Sequence, residues 1–217
     1  MPGRIFCVQG VGVKKVKKFF LIFLLFAFAA YGQLLTDSRD GKKYKTVVIG
    51  EQTWMAENLN YDASGSKCYD DNPSNCDTYG RLYNWETANK SCPKGWHLPS
   101  NAEWDKLSRF ADGTNGTSSP YESKTAGKFL KATRGWNSYQ GKSGNGMDDF
   151  GFAALPGGYG YSDGYFNDGG EDGNWWSASD DDASFADGRG MSYNYDYVRW
   201  SDSDKHGFFF SVRCVKD

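Results

Sequence analysis

Apolar residues along this chain recur with two different periods, and the changes of period predict where its elements lie. In KYKTVVIGEQTWMAENL, residues 43–59, Val and Ile lead up to Gly50-Glu51 and the apolar positions resume at Trp54. That pattern predicts a β-hairpin turning at Gly50-Glu51. A step of three takes over in RLYNWETANK, where Leu82, Trp85 and Ala88 would share one face of a short helix. Ser100-Asn101-Ala102-Glu103 reads as a capping box, followed by Trp104, Leu107 and Ala111 at helical spacing and by Gly113 as the stop. TAGKFLKAT repeats the pattern with Ala126, Phe129 and Leu130 until Gly135 breaks it. Beyond Trp136 glycines come densely, which predicts loops with short strands. Within that region MSYNYDYVRW sets Tyr193, Tyr195 and Tyr197 against Ser192, Asn194 and Asp196. In GFFFSVRCV, Phe208, Phe210, Val212 and Cys214 fall on one strand face. No internal repeat or linker divides the pattern. The expectation is one α+β domain of small antiparallel sheets, a few short helices and long Gly-rich loops.

The N-terminus is set apart from that fold. Lys14, Lys15, Lys17 and Lys18 precede the apolar run Phe19 to Ala30. A run of this length is short of the roughly 20 residues that span a bilayer, and it matches a signal-peptide core. Ala30-Tyr31-Gly32 points to cleavage after Gly32, the alternative being an uncleaved anchor. Residues 1–32 are therefore expected to be a signal peptide, 33–40 a short lead-in and 41–217 the domain. The destination would be secreted or cell-surface, with the periplasm as a further option, and no membrane contact after cleavage. Loss of the leader leaves 20 basic against 27 acidic residues, a net charge of −7. An acidic chain without a basic stripe argues against nucleic acid as a partner.

Four cysteines follow the leader: Cys68, Cys76, Cys92 and Cys214. An even number in an exported chain reads as disulfides, with three pairings open. Cys68 and Cys76 flank YDDNPSN, whose Asn-Pro turn can bring its ends together, and Cys92 would then join Cys214 on the last strand. Zinc is disfavoured, since neither a CxxC pair nor a His cluster accompanies these residues. His97 lies close enough in sequence to Cys92 to suggest a nucleophile and its base. A disulfide-bonded Cys92 attacks nothing, and the structural role is the expected one.

Several stretches carry a resemblance. VVIGEQTWMAENLNY, CYDDNPSNCDTYGRLYNWETA, CPKGWHLPSNAEW, TAGKFLKAT, DDFGFAALPGGY, WWSAS and GFFFSVRCVKD occur in that order. From about Gly41 to Asp217 the chain resembles the Fibrobacter succinogenes major paralogous domain, an exported family without an established activity. More distantly, WHLPSNAEW and FSVRC are similar to the RLPTEAEWE stretch and GFR ending of formylglycine-generating enzymes. That second resemblance implies a single disulfide-bonded domain of C-type-lectin-like fold, with the chain ends brought together and a bridge from a helix region to the last strand. Fold does not carry function with it. Formylglycine-generating enzymes act through cysteines in their C-terminal half, where this chain has only Cys214. The tripeptides by which C-type lectins hold calcium and sugar are missing too, Trp200-Ser201-Asp202 being a loose echo of one.

Two candidate chemistries stand on the residues themselves. In NDGGEDGN, Asp168, Glu171, Asp172 and Asn174 supply hard oxygen ligands of the kind calcium takes, although the spacing departs from an EF-hand and suits a solvated turn equally. No cofactor is required; calcium is an optional one. The aromatic residues Tyr159, Tyr161, Tyr165, Trp175 and Trp176 could stack on sugar rings. Trp175 and Trp176 are adjacent, so on a strand at least one must face the core. For hydrolysis, two carboxylates would have to be positioned together. Glu103 is committed to its cap, Glu57 sits in a predicted strand, and the neighbours Asp148 and Asp149 diverge if extended. The expected function is an exported, noncatalytic module that binds a glycan or polysaccharide of cell-wall or plant type through its aromatic Gly-rich region. A protein-interaction or structural surface domain, with another surface protein as partner, is the alternative. An enzyme relative stripped of its catalytic cysteines is the remaining reading.

Overall fold

Strand β1 (Leu34–Thr36) lies antiparallel to β2 (Lys43–Ile49), which turns through Gly50 into β3 (Gln52–Met55), as the pattern of Val and Ile predicts. The computed structural model describes residues 33–114, 123–180 and 182–217, so the expected leader, 1–32, lies outside the described residues. The segment 33–40 is more than a lead-in, because it supplies the edge strand β1. The chain continues through α1 (Pro73–Tyr79), β4 (Leu82–Tyr83), α2 (Trp85–Ser91) and β5 (Trp96–His97). Helices α3 (Asn101–Ala111) and α4 (Ala126–Leu130) come next, then a small hairpin of β6 (Ser138–Tyr139) and β7 (Lys142–Ser143). The C-terminal part supplies β8 (Gly157–Tyr161), β9 (Phe166–Gly169), β10 (Asp172–Asp180) and β11 (Phe185–Ser192). It ends with β12 (Arg199–Asp204), β13 (Phe208–Ser211) and β14 (Val215–Lys216).

These strands make two principal sheets. One has the order β1-β2-β3-β14-β5, so the last strand closes between the first hairpin and β5. The other runs β12-β11-β10-β13-β8-β9, with β4 also paired to β13. Most pairings are antiparallel; β10 runs parallel to β13 and β8. The fold is a mixed α+β domain with few helices, as expected.

Local signals account for the helix starts. Asn72 accepts a hydrogen bond from the Ser74 amide with Pro73 at the first helical position of α1, and Asn84 accepts from the Thr87 amide at the start of α2. At α3 the Glu103 carboxylate takes the Ser100 amide at 2.8 Å, closing the capping box. Leu82 departs from the helical reading of RLYNWETANK. It pairs with Ser211 in a two-residue strand, and the extended Asn84 ends that strand and starts the helix.

The Gly-rich region also departs from expectation, because it builds the larger sheet with strands of nine and eight residues. Side chains of neighbouring segments occupy the space over its glycines. A Cβ on Gly190 would collide with the Arg199 side chain, and one on Gly173 with the Trp175 ring. In MSYNYDYVRW the strand stops at Ser192; a turn follows, and the Tyr195 and Tyr197 rings lie together at 4.8 Å.

The core has two parts. Trp54, Trp104, Phe152 and Trp175 centre one, with Leu107, Ala111 and Leu130 around them. Met55, Leu59, Tyr83, Trp176, Phe210, Val212 and Cys214 form the other, against which Phe208 packs, so the C-terminal face read from alternation is the observed one. Strand β10 runs between the two parts and sends Trp175 to one and Trp176 to the other. Both disulfides have the expected pairing, Cys68 with Cys76 and Cys92 with Cys214. Bridges of this kind belong to oxidising compartments. Among the described residues no helix is long and apolar enough to cross a membrane.

His97, next to the Cys92 bridge, is a clasp. Its Nδ1 lies 2.7 Å from Asp217 Oδ1 and its Nε2 2.8 Å from Glu103 Oε1, tying the last residue to the start of α3. A neutral imidazole donates from one nitrogen only, so both contacts together require the imidazolium. Partial burial pulls the His97 pKa down, but the hydrogen bonds to Asp217 and Glu103 outweigh it and carry the value above 6.5. The clasp is therefore complete below about pH 6.5 and is lost as pH rises through the elevated folded value. Parent protein should melt at a higher temperature at pH 6 than at pH 8.5, with a difference below about 1 kcal/mol for so exposed a group. His97→Gln should flatten that slope. An equal slope in parent and variant would show that another group titrates.

Candidate functional site

The β8–β9 hairpin carries the expected aromatic region. Tyr159 and Tyr161 project from the same side of β8, where the Tyr161 ring lies 5.1 Å from Phe208 and the Tyr159 ring 6.2 Å from Phe210. Tyr159 and Tyr161 meet edge to face at 5.4 Å, and both are half-buried. Tyr165, between the two strands, is 71% exposed. Lys67 Nζ donates to the Tyr161 carbonyl at 3.0 Å and sits over the Phe209 ring, bracing the hairpin from beneath.

The glycines of this hairpin serve its own chain. A Cβ on Gly158 or Gly169 would strike the Tyr69 ring, and one on Gly160 would press on Phe166. Tyr69 lies across the hairpin, with its hydroxyl accepting from the Gly169 amide at 3.0 Å and its ring 5.5 Å from Phe166. The Cys68–Cys76 bridge adjoins Tyr69 and anchors that cover. Tyr69 was not among the sequence candidates. The glycine at every second position of GGYGY is the signal that a ring lies over the strand.

Trp175 and Trp176 are corrections to the expected binding surface. Both are fully buried, because β10 is covered on both faces and alternation then sends each indole into a core. Trp175 Nε1 donates to Asn58 Oδ1 at 2.9 Å, and Trp176 Nε1 to the Tyr83 carbonyl at 2.7 Å. The four calcium candidates do not converge either. Arg199 Nη2 donates to Asp172 Oδ2 at 2.7 Å and to Asn174 Oδ1 at 2.8 Å, so a guanidinium already occupies the place of a cation. Glu171 lies in the turn between β9 and β10, and Asp168 is exposed at the end of β9. Among the described residues no group of three or more His, Cys, Asp or Glu side chains is arranged to hold a metal ion.

A second feature was not read from the sequence. Asn58 Oδ1 accepts from Trp175 Nε1, from Arg213 Nε at 3.0 Å and from Arg213 Nη2 at 2.6 Å. The Asn58 amide group donates to the Tyr79 carbonyl at 2.8 Å, and Arg213 Nη1 donates to the Phe152 carbonyl. Three of the stretches that carry the family resemblance, MAENL, WWSAS and FSVRC, thus meet at one buried polar knot. Arg213 is 1% exposed, and burial pushes its pKa down to about 9, so it stays cationic at neutral pH. The signal was available: Arg213 alternates with Val212 and Cys214, which face the second core, so its own side chain must point to the other side.

The Arg213 side lines a cleft of about 960 Å³ between the start of β2, the end of α1 and the loop 148–155. That loop holds Asp148 at φ +51° and Ala153 at φ +52°. Ala153 in the left-handed region is strained by about 1 kcal/mol or more, and Asp148 Oδ1 holds its amide at 2.7 Å.

Sealed tryptophan cores, two bridges and a braced aromatic hairpin define a disulfide-bonded α+β domain. The chain belongs to the Fibrobacter succinogenes major domain family, whose model matches residues 47–216. No curated protein and no solved structure matches it.

Proposed function

We propose that this domain is an exported, noncatalytic binding module that takes a polysaccharide of cell-wall or plant type on the aromatic end of the β8–β9 hairpin. The observation that carries this is the 71% exposure of Tyr165, whose carbonyl accepts from the Tyr161 amide at 2.8 Å, at the end of the hairpin where the half-buried Tyr161 ring meets Phe208. Such rings offer stiff contact area with a polar tip at low entropic cost. Asp163 and Asn167, exposed in the same hairpin, can accept from hydroxyls. Calcium is not required, since Asp172 and Asn174 are engaged by Arg199. The noncatalytic reading is supported by the oxidation of all four described cysteines and by the use of Glu103 in its cap. A C-type-lectin-like fold is part of the proposal. It is supported by the closure of β14 between β3 and β5 and by the bridge from the end of α2 to the region of the last strand.

A protein partner is the second reading. Val48 is 58% exposed and Phe110, whose ring packs at Gly50, 43% exposed. Purified exported protein should be retained on insoluble polysaccharide with or without calcium. Tyr165→Ala should weaken retention about tenfold, or about 1.4 kcal/mol, with the melting temperature unchanged. Retention of that variant at the parent level would remove the hairpin from the site. Failure of the parent on every polysaccharide and glycan array would turn the reading toward a protein partner.

A further inference from the structure

The cleft beside Arg213 is cationic in an otherwise acidic protein. Lys42, Lys43, Lys45, Arg134 and Arg213 line it, against the carboxylates of Glu57, Asp77 and Asp148. Two of those acids are already occupied by backbone, Glu57 by the Lys45 amide at 2.8 Å and Asp148 by the Ala153 amide at 2.7 Å. Among the described residues Lys43, Lys45 and Arg134 make no ion pair, and Arg213 has no carboxylate within 4.0 Å. Among the described residues the hydrogen-bond acceptors of Arg213 are the neutral oxygens of Asn58 and Phe152, which leave two of its five N–H groups without an acceptor. Buried charges are normally paired. Asp148 and Glu57 act on the guanidinium through space only, without a direct ion pair.

The remaining lining suits hydroxyls. Asn60, Thr78 and Tyr79 bring polar groups to the walls. About 960 Å³ is at the upper end for small-molecule sites and far more than a lone inorganic anion would fill. We propose that this cleft binds the carboxylate of an acidic saccharide, a uronate unit of a polysaccharide, with Arg213 at its floor and Lys43, Lys45 and Arg134 at its mouth. The inference rests on the polysaccharide reading of the hairpin and adds the charge of the ligand and a second contact. The two sites are connected through β8: Gly157 at its first residue packs at Tyr79 of the cleft, and Tyr161 ends it among the rings.

The test is calorimetric titration of the purified exported protein with three probes: polygalacturonate oligomers, the same oligomers with their carboxyls methyl-esterified, and dextran sulfate. Polygalacturonate should bind at least tenfold tighter than its methyl ester, and dextran sulfate should not match it. The double variant Lys43→Glu/Arg134→Glu changes two exposed residues and should keep the parent near-UV circular dichroism while losing that preference. Equal binding of the methyl ester, or an unaltered preference in the variant, would overturn the cleft assignment while Tyr165-dependent retention of neutral polymer left the hairpin reading standing. Equal binding of dextran sulfate would reduce the cleft to a cationic field and overturn it as well. If no saccharide is bound at all, both assignments fall together.

Discussion

Replacing Trp104 by alanine is expected to lower the stability of the domain by about 3–5 kcal/mol. The indole is fully buried, with Trp54 at 4.9 Å, Phe152 at 6.1 Å and Trp175 at 6.4 Å between ring centroids. Among the described residues its Nε1 has no hydrogen-bond partner, so the loss is burial and cavity rather than a broken polar contact. The capping box of α3 lies outside the substitution, and the helix start should survive it. Trp104→Phe should recover part of the loss, since offset and edge-on aromatic contacts persist. Urea denaturation of the three proteins measures this directly. A loss below about 1 kcal/mol for the alanine variant would mean that the four-ring core is not assembled around this residue.

The second large effect belongs to the Cys92–Cys214 bridge. It spans 122 residues, against 8 for Cys68–Cys76. In the chain-entropy model a loop of that size contributes roughly 4–5 kcal/mol and the short one below about 3. Cys92→Ala/Cys214→Ala should therefore lower the melting temperature by roughly 8–20 °C for a domain of this length, and Cys68→Ala/Cys76→Ala by distinctly less. The short bridge has a separate consequence. It anchors Tyr69 over the β8–β9 hairpin, so its loss should loosen the proposed contact surface while sparing the core. Equal melting shifts from the two variants would contradict the loop-length argument.

What the residues disclosed in advance followed the range of the interaction. The capping box at Ser100, the turn at Gly50 and the alternation from Phe208 to Cys214 are local signals, and each is realised in the structure. The short bridge was legible because the Asn-Pro turn sits between its cysteines, and the long one followed from it. Leu82 misled because a strand of two residues has no period of its own, and its pairing partner Ser211 is remote in sequence. The glycines of β8 and β9 misled for a related reason. Dense glycine predicts loops, whereas here it makes room for Tyr69, some hundred residues away by the Gly169 contact, which covers the strands. Trp175 and Trp176 were assigned to a surface because nothing local marks β10 as a strand with both faces covered. Asn58 and Arg213 meet across a separation of 155 residues, beyond any periodicity. Tyr165 alone among the aromatic candidates is strongly exposed, since it lies in the turn region of its hairpin.

Binding at the aromatic hairpin is the central claim, and amide chemical-shift mapping tests it most directly. Uniformly ¹⁵N-labelled protein would be titrated with soluble fragments of the polysaccharide that retains it. The shifts should concentrate at residues 159–167 and 207–209, where Tyr161, Tyr165 and Phe208 lie, and should be markedly smaller in Tyr165→Ala at the same subsaturating concentration. Shifts confined to β11 and β12, or to the Val48 and Phe110 surface, would contradict the assignment and place the contact elsewhere on the domain.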